Sequence, residues 1–591
     1  MLSPEPVAAR PHYAPGVPAE IEIPDIPVSR FLEEAARRWP ERIAFDFLGG
    51  ETTYAEAAQA VSRAAGMLAA AGVRPGDRVA LVLPNCPQHV VAFYAVLRLG
   101  AVVAEHNPLA PAPELQAQLA AHGARFVIAW EKTMGQVAPD GDLRGRKVFS
   151  VDLTAALPWR SRFLLRLPLA AARRQRDALC GPVPKGVLSW DDAVAYAPPL
   201  SAEYAEPAAE DLAVLLHTGG TTGTPKAVSL SHRNLVANAL QGIAWVRGME
   251  EGNETVLSVL PFFHAFGLTL CLTFAVRLGA TQLIVPKFDV DLLFAAMKRH
   301  PATFFPGVPP MFDRVARAAE DRGIDLHSIR FSISGAMALD HKIAERWERV
   351  TGGLISEGYG MTECSPVIMG NPLSAARRPG TLGLPFPSTE FRIVDPEDPA
   401  NEVPAGELGE LVVRGPQVCQ GYFGRPEETA KVMLPGGWLR TGDLVHLDDG
   451  FVVLTDRIKE VIISGGFKVF PSQVEEILRL MPGVSDVAVV GLPGGPSGEV
   501  VVAAIVPVAG VPRVSLEQVR AWASERLSPY AVPRRIAFVD ELPRSLIGKL
   551  LRRPVREQLL GTGAPEEPRE PVLALPPPPP SADRPGVSPA H

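Results

Sequence analysis

Cysteine is scarce: five residues, Cys86, Cys180, Cys271, Cys364 and Cys419, are scattered over 591 positions. No two stand at metal-ligand spacing. That excludes a disulfide-stapled fold and a cysteine zinc site, and it points to a reducing compartment. A basic surplus is also absent. The chain carries 65 acidic and 58 basic residues, a net charge of −7, whereas a general nucleic-acid binder needs the opposite balance. Long apolar runs are missing too. The longest uncharged stretch, 255–276, is broken by Pro261, His264 and Gly267, so a buried α/β core segment is expected there and not a membrane span. The N-terminus is Pro-rich and acidic, with no basic start leading into an apolar run, so no signal peptide is expected. No repeat of solenoid length occurs.

What is present describes a large globular chain. Apolar residues make up 47% and charged residues 21%, and the length suits roughly two to four domains. A flexible arm is expected over 1–25. Beyond it, helical and strand patterns alternate: helices over 29–38 (with Ser29 as cap), 54–71 and 90–99, and strands over 79–83 and 101–104. The rhythm returns at 212–216, 234–246, 281–285, 292–299 and 330–334. This alternation implies parallel sheets covered by helices. From about Thr389 short apolar runs separated by Gly and Pro suggest a β-rich subdomain reaching residue 456. A compact α+β unit follows over 457–560. The segment 561–591, with ten prolines and five of them consecutive, is expected to be disordered.

Five segments carry chemistry. Thr218-Gly-Gly-Thr-Thr-Gly-Thr-Pro-Lys226 follows an apolar strand and is expected to precede a helix. Small residues let backbone N–H groups close on an anion, and hydroxyls and a lysine add donors. It is not a Walker A loop, because Lys226 follows Thr-Pro and not Gly. Taken alone, phosphate binding and a simple turn account for it equally well. The others are Glu357-Gly-Tyr-Gly-Met-Thr-Glu363, Trp438-Leu-Arg-Thr-Gly-Asp443, Asp456-Arg-Ile-Lys-Glu460 leading into Ser464-Gly-Gly-Phe-Lys-Val-Phe-Pro471, and Pro543-Arg-Ser-Leu-Ile-Gly-Lys-Leu-Leu-Arg552. Lysine is rare, 11 residues against 47 arginines. Yet Lys226, Lys459, Lys468 and Lys549 all fall within these segments.

Together, in this order, the segments resemble the adenylate-forming (AMP-binding) superfamily, and within it the long-chain fatty-acid–CoA ligases. The resemblance runs from about Val28 to Leu560. It implies an AMP-binding N-terminal domain over 26–456 and a mobile C-terminal domain over 457–560. The activity it implies is ATP-dependent conversion of a fatty acid to acyl-adenylate, then transfer to CoA, with Mg²⁺ as cofactor. Thr218, Gly219, Gly220, Thr222 and Gly223 would cradle the ATP phosphates, with Thr221 and Lys226 acting on them. Tyr359 would stack on adenine, against Gly335 and Ala336. Thr362 would touch the α-phosphate, and Glu363 would hold Mg²⁺, a hard cation that takes carboxylate oxygen. Asp443 would accept the ribose hydroxyls, with Arg457 beside it. His264 would sit between the acyl and phosphate pockets, and the segments 265–275 and 304–312 would wall an apolar acyl tunnel. Lys549 would neutralise charge during adenylation, Lys459 would be the hinge, and Ser464, Gly465, Gly466 and Phe467 would border the CoA channel. Two positions depart from the family pattern: Gly220, where many members have Ser, and Ala227, where Gly is usual. The second matters if that position needs positive φ.

The stretch from Trp159 to Arg176 has six arginines and no acid, interleaved with leucines and broken by Pro168. A peripheral contact with an anionic membrane and a plain surface excursion both fit it. A cytoplasmic protein, with or without contact to the inner face of a membrane, is expected. Rival functions are a ligase for another carboxylic acid or a carrier-protein thiol, a non-catalytic acyl- or nucleotide-binding paralogue, and a scaffold using the proline run. Retention of Glu363 and Lys549 weighs against the paralogue.

Overall fold

A computed structural model describes residues 12–218, 226–494, 498–545 and 548–561. Two predominantly parallel sheets form its larger part. The first has seven strands in the spatial order 188–189, 147–151, 126–130, 78–82, 102–105, 212–218 and 226–231. All its pairs are parallel except the last. The second has nine strands, with 43–47, 281–284, 255–258, 304–307, 331–334 and 354–360 running parallel through its centre. Strands covered on both faces cannot alternate apolar and polar residues. Arg78–Val82 and Val102–Glu105 are accordingly buried at nearly every position. Helices Tyr54–Ala71 and Pro87–Arg98 pack on each other. The former is opened by a capping box between Thr53 and Glu56 and closed by Gly72 in the left-handed conformation.

An antiparallel sheet of strands 390–394, 409–414, 433–434, 438–448 and 451–457 is the β-rich part. The C-terminal α+β part has strands Val484–Pro493, Glu499–Pro507 and Arg535–Phe538. Its helices are Pro471–Arg479, Leu516–Ser524 and Arg552–Gly561. The fold is thus the α/β architecture expected, with a β-rich subdomain and a small α+β C-terminal part.

Two local expectations need correction. Ser29 does not cap its helix: Val28 holds that position without a side-chain bond, and the Ser29 hydroxyl is buried. The described part of the N-terminal arm is not loose. The Tyr13 ring meets Trp245 edge-on at 5.3 Å, and the Ile21 N–H donates to Ser388 Oγ at 2.9 Å. An aromatic anchor with paired backbone outweighs the high proline content there. The 255–276 segment is a core strand followed by a buried helix that widens to π geometry over Leu268–Thr273. No helix among the described residues is long and apolar enough to cross a membrane. The tail expected to be disordered lies outside the described residues from 562 onward.

Candidate active site

The phosphate-loop candidate joins two antiparallel strands, Leu212–Thr218 and Lys226–Ser231, and the helix begins only at His232. A helix does follow, as expected, but strand Lys226–Ser231, which the sequence reading does not include, stands between it and the loop. With a strand in between, helix-terminus attraction for an anion is not available at this point. Gly219, Gly220, Thr221, Thr222 and Gly223 lie outside the described residues. Thr218 and Lys226 face each other as the last pair of the hairpin. Ala227 is extended opposite His217 and is not among the residues with positive φ, so alanine costs nothing there.

Lys226 Nζ pairs with Glu428 Oε2 at 2.5 Å and lies 4.8 Å from the centre of the Tyr422 ring. Lys226 and Lys431 together hold the Glu428 carboxyl down to about 2. The Tyr422 hydroxyl donates to Glu363 Oε1 at 2.8 Å. Tyr422 and Glu428 were not foreseen, since they stand in no motif. Glu363 is buried beside Thr362 in the short turn Thr362–Cys364. Only one of its carboxylate oxygens is engaged by Tyr422, and the donors offered here are carboxylate and hydroxyl oxygens. That set fits Mg²⁺ and not a softer ion.

Tyr359 ends the parallel strand Leu354–Gly360, where it turns to pair antiparallel with Val367–Gly370. Glycine is required at position 360, because a Cβ there would lie 2.0 Å from the Pro366 carbonyl oxygen. The Tyr359 hydroxyl donates to Asp443 Oδ2 at 2.5 Å, and Arg457 Nε donates to Asp443 Oδ1 at 3.2 Å. Asp443 and Arg457 are register partners on neighbouring strands. Burial and then the Asp443 charge push the Tyr359 phenol well up. Gly335 follows strand Phe331–Ser334, and a Cβ there would meet the Phe266 ring at 2.8 Å. Ala336 is exposed and left-handed, with φ of 67°, a conformation alanine rarely adopts and one that collects at functional loops.

The loop carrying Lys549 leans on this same segment: a Cβ on Gly548 would lie 3.0 Å from Met337 Sδ. Its turn is closed by Ser545, whose N–H donates to the Lys549 carbonyl at 2.8 Å and whose hydroxyl accepts from the Lys549 N–H at 3.1 Å. Burial, and next the charge of Arg457, lower the Lys549 ammonium to about 8 despite the opposing pull of Asp443 and Glu460. Burial and then the Lys549 charge bring His264 down to about 4. The His264 ring is therefore neutral. Its Nδ1 accepts from the Phe266 N–H at 3.2 Å, so Nε2 carries the proton. Lys549, Arg457, Asp443, Tyr359 and His264 thus converge from strand ends and loops that lie up to 285 residues apart in sequence, taking His264 and Lys549 as the extremes.

Lys459 is exposed in the turn Ile458–Glu460 directly after strand Phe451–Arg457. Ser464 is buried, Gly465 and Gly466 make the hairpin turn at φ of 59° and 83°, and Phe467 stacks on Tyr530 at 4.7 Å. The segments expected to wall an acyl tunnel are deeply buried, with Phe274 5.3 Å from Phe304 and Phe305 4.9 Å from Phe312. Arg552 closes the C-terminal motif, and the sequence assigns it no partner. It binds Glu475 at 2.7 and 2.8 Å, Ser472 at 2.8 Å, and Glu460.

A buried strand-end carboxylate, the tyrosine hydroxyl bonded to it and a lysine loop beside them thus come together at one place in the fold. Residues 32–423 match the AMP-binding enzyme family and residues 473–549 match the AMP-binding enzyme C-terminal domain. The chain belongs to the AMP-binding enzyme family. It is 35% identical over 553 residues to the long-chain-fatty-acid–CoA ligase of Bacillus subtilis, covering 92% of this chain and 97% of that one. It is 36% identical over 565 residues to the Salmonella typhimurium enzyme of the same name, covering 93% and 98%. Among solved structures, ATP-bound MatB from Rhodopseudomonas palustris superposes with a TM-score of 0.77 at 29% identity, over 90% of this chain and 99% of that one.

Proposed function

We propose that the protein is an AMP-forming fatty-acid–CoA ligase. The observation that carries this is the convergence of Lys549, Arg457, Asp443, Tyr359 and His264 in a chain similar along nearly its whole length to long-chain-fatty-acid–CoA ligases. A carboxylate oxygen of the fatty acid attacks the α-phosphorus of ATP. The bond from that phosphorus to the bridging oxygen breaks, and pyrophosphate leaves. The CoA sulfur then attacks the acyl carbon, the bond to the AMP oxygen breaks, the thiol proton is lost, and AMP departs.

The residues act as follows. Asp443 accepts the ribose hydroxyls, exchanging the Tyr359 hydroxyl and Arg457 for them in part. Tyr359 packs on adenine against Gly335 and Ala336. Thr218, Lys226 and the residues between them hold the β- and γ-phosphates. Glu363, with Thr362 beside it, would hold Mg²⁺, which when bound supplies charge neutralisation of the phosphates. His264 offers its Nε2–H to an oxygen at the junction of acyl and phosphate groups. The Lys549 ammonium offsets the repulsion between two anions, where a preorganised charge counts most. The 26–456 and 457–560 parts act as two bodies, with Lys459 as hinge. After adenylation the smaller one rotates, withdraws Lys549 and brings Ser464, Gly465, Gly466 and Phe467 to border the pantetheine path. Domain rotation of this sort is an established structural device.

The protein works in the cytoplasm and touches the inner face of an anionic membrane. This rests on helices Trp159–Leu165 and Ala170–Leu179 and the turn joining them, where Trp159, Phe163, Leu164 and Leu169 are 73%, 62%, 56% and 58% exposed among arginines. Exposed large apolar side chains rimmed by cations suit a lipid interface that holds fatty acids.

The test is product analysis. Purified chain with MgATP, CoA and acids of graded chain length, aromatic acids included, should give AMP and acyl-CoA with fatty acids of medium or long chain. Folded protein that forms thioesters only with aromatic acids would overturn the substrate class. Protein that releases no AMP with any acid would overturn the activity.

A further inference from the structure

Outside the activation site, three histidines meet at the root of the phosphate hairpin. His106 follows strand Val102–Glu105, His122 caps the C-terminus of helix Ala112–Ala121, and His217 is the penultimate residue of strand Leu212–Thr218. His106 and His122 are buried, and His217 is half-buried. One ring nitrogen from each lies within 4.8 Å of the other two. The ring centres of His106 and His217 are 4.7 Å apart.

The hydrogen bonds decide where the lone pairs point. Gln118 Nε2 donates to Glu114 Oε1 at 3.0 Å, so its amide oxygen faces His106 Nδ1 at 2.9 Å. That nitrogen therefore carries the proton, and His106 Nε2 is an acceptor. His217 Nδ1 faces the Glu105 carbonyl oxygen at 3.0 Å, so it too is protonated, and His217 Nε2 is an acceptor. His122 Nε2 lies 2.9 Å from His106 Nε2 and donates to it. Two lone pairs are thus aimed inward by outer hydrogen-bond acceptors. His217 Nε2 is buried with no partner among the described residues, and so is His122 Nδ1. An unpaired buried polar atom is costly and needs an explanation.

The geometry points to a divalent transition-metal site, Zn²⁺ in class, held by His106, His122 and His217 with a fourth position for water. Tetrahedral zinc with N ligands spaces them about 3.3 Å apart, so small ring rotations convert the cluster. His122 must move its proton from Nε2 to Nδ1, after which all three ligating nitrogens present lone pairs and no ring changes charge. His106 and His217 have their other N–H held by an amide or carbonyl oxygen, the usual outer support of a metal ligand, whereas His122 Nδ1 has none among the described residues. Three imidazoles without a carboxylate favour Zn²⁺, Co²⁺ or Ni²⁺ over Mg²⁺. The positive charges of Arg78 and Arg146 lie within range and oppose a cation. Both are engaged elsewhere, Arg78 by the His122 and Gly76 carbonyls and Arg146 by Gln116. Glu114 is tied to the cluster through Gln118, whose Nε2 donates to its Oε1, while the Glu105 carboxylate is taken up by His89. An ion here would tie helix Ala112–Ala121 to two neighbouring strands, one residue before Thr218.

The experiment uses the full chain without a polyhistidine tag, stripped with EDTA and dialysed against micromolar Zn²⁺. One zinc per chain is expected, with Co²⁺ giving the intense visible bands of a tetrahedral site. His122→Gln should lose that equivalent. Gln118→Ala, which removes only the support of His106, should weaken binding roughly 10–100-fold. Wild-type protein that retains no zinc, or that binds Co²⁺ only with weak octahedral bands, would overturn the proposal even if the variants fail to fold. Full stoichiometry and unchanged affinity in both folded variants would overturn it as well.

Discussion

Replacing Lys549 by alanine separates the two half-reactions, and the structure sets the expected size. The ammonium lies in one field with Arg457, Asp443 and Glu460, and its charge depresses His264. Loss of one preorganised stabiliser of a charged transition state costs about 10²–10³-fold in rate, equivalent to about 2.7–4 kcal/mol. Adenylation, followed as pyrophosphate release, should fall by that factor. Thioester formation from synthetic acyl-AMP and CoA should remain close to wild type, because rotation has by then removed the lysine. A pH profile adds an independent check. The folded value of about 8 lies below the ordinary lysine value, and the charged form is the active one. Adenylation should therefore be near maximal at pH 7, where about 90% of the ammonium is protonated, and fall about tenfold as pH rises to 9. Lys549→Arg should remove that falling limb while staying slow, since a guanidinium keeps its charge but not the compact shape. Equal loss in both half-reactions, or an alkaline limb that survives in Lys549→Arg, would refute the reasoning.

Asp443→Ala should raise the KM for ATP about 10–100-fold, the scale of lost hydrogen bonds to a charged acceptor. The fatty-acid KM should hardly change, and steady-state kinetics at varied ATP and acid decides. Glu363→Gln should raise the Mg²⁺ concentration needed for half-maximal adenylation at fixed ATP, and an unchanged requirement would count against Glu363 as the ligand. Arg552→Met leaves the buried Glu475 without its main cation and should destabilise the C-terminal part by about 3–5 kcal/mol. Urea unfolding followed by Trp522 fluorescence measures it. Combined Trp159→Ser and Phe163→Ser should weaken binding to phosphatidylglycerol vesicles at least about tenfold, since each exposed ring would otherwise bury about 2 kcal/mol of apolar surface. Cosedimentation reads this directly.

Element boundaries were legible where the local code was strong. Helix Tyr54–Ala71 follows from its apolar spacing and from Gly72, and it came out residue for residue. The strand Lys226–Ser231 was missed because it is short and sits between a Gly/Thr-rich loop and a helix. Only its pairing with Leu212–Thr218 holds it extended. The pinned arm at Tyr13 and Ile21 was illegible for the same reason: its partners Trp245 and Ser388 are hundreds of residues away.

By itself the sequence determined the family and the reaction class, because the segments 218–226, 357–363, 438–443, 456–471 and 543–552 that carry the resemblance are short and contiguous and are read without any tertiary contact. Which groups share a field was decided only by the tertiary structure. Tyr359 and Asp443 meet because two sheets end at one edge, and Lys549 reaches them only through a loop resting on Met337. Tyr422, Glu428 and the three histidines His106, His122 and His217 belong to no motif. Their proximity comes from the fold: Tyr422 is bridged to Val228 beside the hairpin, and sheet order brings the strand-end histidines to the helix capped by His122.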